Sequence, residues 1–160
     1  ILFISFSLLV CLSDGIYLDR FIARLASEVS AQIDCLACGN CCRSLDVYLT
    51  ATDAQNISSQ MRLLSLRALA HMIENESAYS EGEWGKFRHS PCAFLKGKAC
   101  TIYAQRPEAC RTYPAFTPDF RWLLEDIIAG AAGCPIIYNT LSHLLEYIDD
   151  ISAGRLSLQE

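Results

Sequence analysis

Cys35-Leu-Ala-Cys38-Gly-Asn-Cys41-Cys42 gathers four thiols in one short stretch of chain. Steps of three residues bring sulfurs to one side of a turn, and two such steps aim Cys35, Cys38 and Cys41 at one point. Two residues between cysteines is also the knuckle spacing of tetrathiolate zinc sites. The same triple spacing occurs in bacterial ferredoxins, whose remote cysteine is followed by proline; Cys134-Pro135 has that form. Gly39 permits a tight backbone path around the sulfurs. Cys42 directly follows Cys41, so its side chain is expected to diverge and serve a second site or the far side of a cluster.

The chain has nine cysteines in 160 residues. Disulfides, metal and redox thiols compete to explain such a number. Disulfide frameworks suit small secreted domains that lack a core. This chain is 52% hydrophobic and 19% charged, enough apolar residue to build one. Cys11 sits in the apolar run Ile1–Leu12 and reads as a small core residue. Cys35, Cys38, Cys41, Cys42, Cys92, Cys100, Cys110 and Cys134 remain: eight thiols, enough for two tetrathiolate sites or for a cluster plus an ion. All-sulfur coordination selects zinc or an iron–sulfur cluster over magnesium or calcium.

A divalent ion with four thiolates is a net anion, so cations or N–H donors are expected beside it. Arg43, Lys96, Lys98, Arg106 and Arg111 flank cysteines. Arg106 and Arg111 lie among proline and aromatic residues and are the candidates for buried support. Tyr103 and Tyr113 are expected to pack over the site. His71, His89 and His143 read as ordinary surface or helix histidines. The net charge of −5 and the lack of a basic stripe exclude a nucleic-acid partner. Ile1–Leu12 is too short to span a bilayer, so no membrane span is expected. It reads as a buried first element in a cytoplasmic protein, or as part of a signal peptide in an exported one.

The expected fold is mainly α: a small helical domain with short strands and a loop-rich cysteine centre. Residues 1–34 form an apolar segment and first helix, 35–135 the cysteine region, and 136–160 a C-terminal helix, in one domain overall. Tyr17, Phe21, Leu25 and Val29 recur at helical spacing, which predicts a helix from Tyr17 to Ile33. Leu45–Thr50 suits a strand. Thr52-Asp53-Ala54-Gln55 fits a capping box with Thr52 as N-cap, opening a helix to Ser59, with another from Met61 to Ile73. Glu74–Ser90 reads as loop. Pro91–Tyr113 has little regular structure beyond two short strands about Lys96-Gly97-Lys98. Helices are predicted over Asp119–Ala131 and Pro135–Ile151, the latter with Pro135 in its first turn.

Three ordered motifs carry a resemblance. Cys35–Cys42, then Pro91-Cys92-Ala93-Phe94-Leu95, then Cys100-Thr-Ile-Tyr-Ala-Gln-Arg106-Pro-Glu-Ala-Cys110-Arg-Thr-Tyr113-Pro resemble the YkgJ-like cysteine-cluster family, the CxxCxxCC zinc- or iron-chelating proteins. The resemblance covers roughly residues 35–135. It implies the eight-cysteine set named above as metal ligands, with zinc or iron as the metal. A flagellin lysine-N-methylase carries a similar cysteine region, so a metalloenzyme of protein methylation or redox chemistry is an alternative expectation. No S-adenosylmethionine loop, Ser/His/Asp arrangement or phosphate-binding loop is present. A secreted disulfide-rich protein is the remaining alternative.

Overall fold

The computed structural model describes residues 15–60, 73–74, 83–88 and 90–156. Cys11, the rest of the run Ile1–Leu12, His71 and His89 lie outside them, as does nearly all of the helix expected over Met61–Ile73. The chain is mainly α with a few short strands, and it divides into two compact units. One is built from residues 1–34 and 114–160, the other from Cys35–Tyr113. The first boundary falls at the start of the cysteine motif. The second precedes Cys134, which therefore belongs to the unit without the other seven described cysteines.

The first unit contains α1 (Gly15–Ser30), together with two later helices, Phe120–Gly130 and Pro135–Ser152. The buried stripe of α1 is Leu18, Ile22, Ala26 and Val29. It is rotated by one residue from the expected Tyr17–Phe21–Leu25 line, which sits half-buried at its edge. The rotation places Phe21 against Tyr147, with ring centroids 4.6 Å apart. The Phe120–Gly130 helix begins after Asp119, whose φ of 62° is left-handed. Asp119 provides no side-chain cap. Asp19 of α1 does so instead: its carboxylate accepts the N–H groups of Asp119 at 2.6 Å and Phe120 at 2.9 Å. Ile22, Phe120, Leu144 and Ile148 are large, fully buried side chains around which these helices pack. Among the described residues, no helix is long and apolar enough to cross a membrane.

The second unit opens with two single-turn helices, α2 (Cys35–Cys38) and α3 (Cys41–Ser44). β1 (Tyr48–Thr50) and α4 (Ala51–Gln60) follow, then β2 (Ile73–Glu74) and β3 (Glu83–Phe87). β3 lies between β1 and β2 in an antiparallel sheet of order β1-β3-β2, with Leu49 opposite Gly85 and Ile73 opposite Phe87. These strands correct the reading of Glu74–Ser90 as loop. Gly85 and two charged residues disguise β3, but a strand paired on both sides gains two ladders of hydrogen bonds. β4 (Leu95–Lys96) and β5 (Ala99–Cys100) form a hairpin whose turn contains Gly97 at φ 66°. A 3-10 turn (Tyr103–Gln105) and α5 (Glu108–Thr112) complete the unit, so Pro91–Tyr113 holds more regular structure than expected. The later helices of the first unit are α6 (Phe120–Gly130) and α7 (Pro135–Ser152); both match their predicted spans closely.

The cap of α4 also differs from expectation. Thr50, not Thr52, starts the helix. Its N–H and hydroxyl both donate to Asp53 Oδ2, at 3.1 and 2.9 Å, and its Oγ1 accepts the Asp53 N–H at 3.1 Å. This is a reciprocal capping box shifted two residues towards β1.

Candidate metal centre

The cysteines of the second unit rest on its hydrophobic core. Val47, Leu49, Ala54, Ile57, Phe87, Phe94 and Ile102 form that core, and Cys92, Cys100 and Cys110 pack against it beside Trp84. Each reaches it from a different element. Cys92 precedes β4, Cys100 ends β5, and Cys110 lies in α5. The backbone N–H of Cys92 donates to the Cys42 carbonyl at 2.7 Å, and the Ser90 hydroxyl donates to the Arg43 carbonyl at 2.6 Å. These bonds fasten the Cys92 segment to the Cys41–Cys42 turn, across some fifty residues of sequence.

Cys41 and Cys42 do not diverge. Their side chains are hydrogen-bonded to each other. The reason is helical geometry: in the single turn α3, successive side chains are about 100° apart, whereas in an extended segment they would face opposite ways. Cys41 accordingly joins Cys42 in one group with Cys92, Cys100 and Cys110, which all interact electrostatically. The expectation that the two side chains diverge is thereby corrected. Cys35 and Cys38 stand at the two ends of α2, which packs against β5. Cys134 is buried in the other unit, immediately before Pro135 at the start of α7.

Burial on the core sets the protonation of these thiols. It pushes Cys110 up to about 12, with the neighbouring Cys42, Cys92, Cys41 and Cys100 adding to the rise. Cys92 and Cys42 are also raised, first by burial. Cys92 is opposed by the backbone N–H groups of Phe94 and Leu95, which donate to its sulfur. Cys42 is opposed by Cys41 and by the positive charge of Arg43. Backbone N–H groups aimed at a sulfur, together with a nearby guanidinium, are the support that a thiolate ligand needs.

Arg43 also clamps two cysteine-bearing pieces together. Its guanidinium donates to the carbonyls of Cys38 at 3.2 Å and Gly97 at 3.0 Å, with Asn40 Oδ1 at 3.4 Å. Arg111 donates to the Arg106 carbonyl at 2.6 Å and lies 4.0 Å from Asp53. Arg106 stacks on Tyr103, 3.9 Å from the ring centre, and its Nε is buried with no hydrogen-bond partner among the described residues. Tyr103 is partly exposed and Tyr113 half-buried. His143 is exposed on α7. Arg43 and Asp53 are the residues that the sequence reading undervalued. Arg43 had a visible signal in its place beside Cys42; the long-range bonds of Asp53 had none.

Among the described residues, no three Cys, His, Asp or Glu side chains stand in an arrangement that would hold an ion as they are, and no disulfide links the cysteines. The fold thus gathers thiols without closing them on a centre. The donor set still fits a thiophilic metal: several sulfurs, N–H donors and a cation in a partly desolvated place.

Fold and site together define a small, mainly α, cysteine-clustered metal-binding protein. The family model for CxxCxxCC, described as "Putative zinc- or iron-chelating domain", matches residues 34–132, and the chain belongs to this family. The segment is thereby assigned to metal binding, with zinc or iron as the metal. The match includes seven of the eight cysteines and stops short of Cys134. No curated protein and no solved structure gives a match to the chain.

The raised thiols make metal uptake a proton exchange. Cys42, Cys92 and Cys110 hold their protons at neutral pH, so a metal bound through them would have to displace those protons. Uptake at pH 7 should release about one proton per coordinated thiol. For four thiolates, affinity should fall roughly ten-thousandfold per pH unit as the solution is acidified. An indicator dye in weak buffer measures the release directly; binding without proton release would contradict it. For the metal-free fold the sign reverses. A neutral Cys110 contributes its full share of stability below the ordinary value of 9.0, and that share is lost as pH rises towards about 12.

Proposed function

We propose that the chain holds zinc or an iron–sulfur cluster through cysteine thiolates and acts as a metal- or cluster-binding module in the cytoplasm. Cys41, Cys42, Cys92, Cys100 and Cys110 form the heart of the site, and Cys35 and Cys38 join it from α2; Cys134, in the other unit, is a ligand candidate on the resemblance alone. The carrying observation is that Cys92, Cys100 and Cys110 pack against a hydrophobic core with Cys41 and Cys42 close enough to interact with them, and that N–H groups donate to the sulfur of Cys92. Eight thiolates supply two tetrathiolate sites or one polynuclear centre; a single zinc would use half of them. Arg43 offsets part of the negative charge, and Arg106 and Arg111 contribute near Cys110. When bound, the metal supplies cross-links between α2, α3, the β4–β5 hairpin and α5.

Differential alkylation tests the ligand set. Anaerobically purified protein is treated with an alkylating reagent before and after metal removal, and each cysteine is scored by mass spectrometry. The eight named cysteines should be protected only while metal is present. Full modification of Cys41, Cys42, Cys92, Cys100 and Cys110 in metal-loaded protein would overturn the proposal. Modification of Cys134 alone would remove that residue from the set.

A further inference from the structure

Asp53 is 4% exposed and lies eleven residues beyond Cys42 in sequence and 57 before Cys110. Its Oδ2 is occupied by the N–H and hydroxyl of Thr50 in the cap of α4. Its Oδ1 faces the other way and accepts the backbone N–H of Glu108 at 3.1 Å, across 55 residues. Glu108 is the first residue of α5, the short helix that carries Cys110. The preceding Pro107 is fully buried and offers no N–H of its own, so the Glu108 N–H is the first donor at this end of the helix. Arg111, directly after Cys110, lies 4.0 Å from the same Oδ1. One buried carboxylate therefore anchors both the start of the helix and the residue beyond Cys110.

We propose that Asp53 is a positioning residue for the metal centre, fixing α5 so that Cys110 is presented to the metal with Cys41, Cys42, Cys92 and Cys100. This rests on the reading of Cys110 as a ligand. A five-residue helix has too few internal hydrogen bonds to hold its own orientation. Oδ1 supplies the fixed point, and because α4 is built on β1, that point is tied to the sheet. Asp53 does not contact the metal; it decides where one of the ligands stands.

The test is an anaerobic titration of the full, reduced chain with cobalt(II), whose sulfur-to-metal charge-transfer intensity reports the number of thiolate ligands. Glu108→Pro removes the N–H that Asp53 accepts, together with the glutamate side chain. Proline fits the first turn of a helix, and Pro107 already has the extended backbone (φ −53°, ψ 157°) that a residue before proline requires. Glu108→Ala keeps the N–H and serves as its control. Asp53→Asn is the second variant, because the two Thr50 donors draw its amide oxygen to the Oδ2 position and its NH2 then faces the Glu108 N–H, which loses its acceptor. Glu108→Pro and Asp53→Asn should each weaken cobalt binding about 10–100-fold and lower the charge-transfer intensity per cobalt, while Glu108→Ala binds as the natural chain does. Wild-type affinity and intensity in a folded Glu108→Pro or Asp53→Asn protein would overturn the proposal. If Glu108→Pro does not fold, Asp53→Asn decides alone. If the natural chain itself shows no charge-transfer band, the ligand reading fails instead, which is a different result.

Discussion

Removing the metal should lower the melting temperature of the Cys35–Tyr113 unit by roughly 15–30 °C. Metal bound only by the folded state stabilises it by about 4 kcal/mol when free metal is a thousand times the dissociation constant. For a domain of this size each kcal/mol is worth about 4–8 °C. The unit should not unfold outright on chelation, because Val47, Leu49, Ile57, Phe87, Phe94 and Ile102 give it a core of its own. The two tryptophans make the measurement selective. Trp84 packs against that core, whereas Trp122 is 87% exposed in the other unit. Unfolding of the cysteine unit therefore moves Trp84 into water and shifts its emission to the red, while Trp122 changes little. A melting temperature unaltered by chelator would mean that the cysteines contribute nothing through metal.

Gly39→Ala should cost about 2–5 kcal/mol and reduce metal binding with it. Gly39 has φ 64°, a conformation that costs an alanine roughly 1–2 kcal/mol. A Cβ there would also stand 2.5 Å from the Lys98 carbonyl oxygen, 3.1 Å from its carbon and 3.2 Å from its Cα. These are backbone atoms of the β4–β5 turn and cannot rotate away. Making room requires the turn and the Cys35–Cys42 segment to part, at a further cost of about 1–3 kcal/mol. Gly97 supplies the comparison. It has nearly the same φ, 66°, but open space where a Cβ would go. Gly97→Ala should cost only the conformational part, about 1–2 kcal/mol. Denaturant melts of the two variants separate the effects; equal losses would show that the contact between Gly39 and Lys98 is unimportant.

The same contact shows what could be read from sequence and what could not. The Cys-x-x-Cys-Gly-x-Cys-Cys spacing announces a thiol cluster, because it depends only on local geometry. α1, α6 and α7 are equally legible, since their apolar residues repeat at helical spacing and Pro135 marks a start. The β4–β5 hairpin follows from Lys96-Gly97-Lys98, although its strands lie closer to Gly97 than the expected Ala93–Leu95 and Thr101–Tyr103. What local reasoning misses is set by distant partners. Thr50-x-x-Asp53 and Thr52-x-x-Gln55 are both acceptable capping boxes; burial of Asp53 and its bond to the Glu108 N–H select the first. The short helix α5 was signalled weakly by Pro107 and is held by that same carboxylate. Cys41 and Cys42 diverge only if the backbone is extended, and no local rule says that α3 is helical there. Glycine at position 39 suggests a tight turn, but not that the β4–β5 turn lies against it.

A chain that binds zinc or iron through sulfur must show sulfur around the metal. X-ray absorption at the metal edge, on protein purified without oxygen and assayed for its elements, tests it most directly. The account predicts stoichiometric zinc or iron with a shell made wholly of sulfur, at about 2.3 Å for zinc; iron would also give visible absorption from a cluster. Protein that carries no metal, or a metal shell of oxygen and nitrogen, would contradict it.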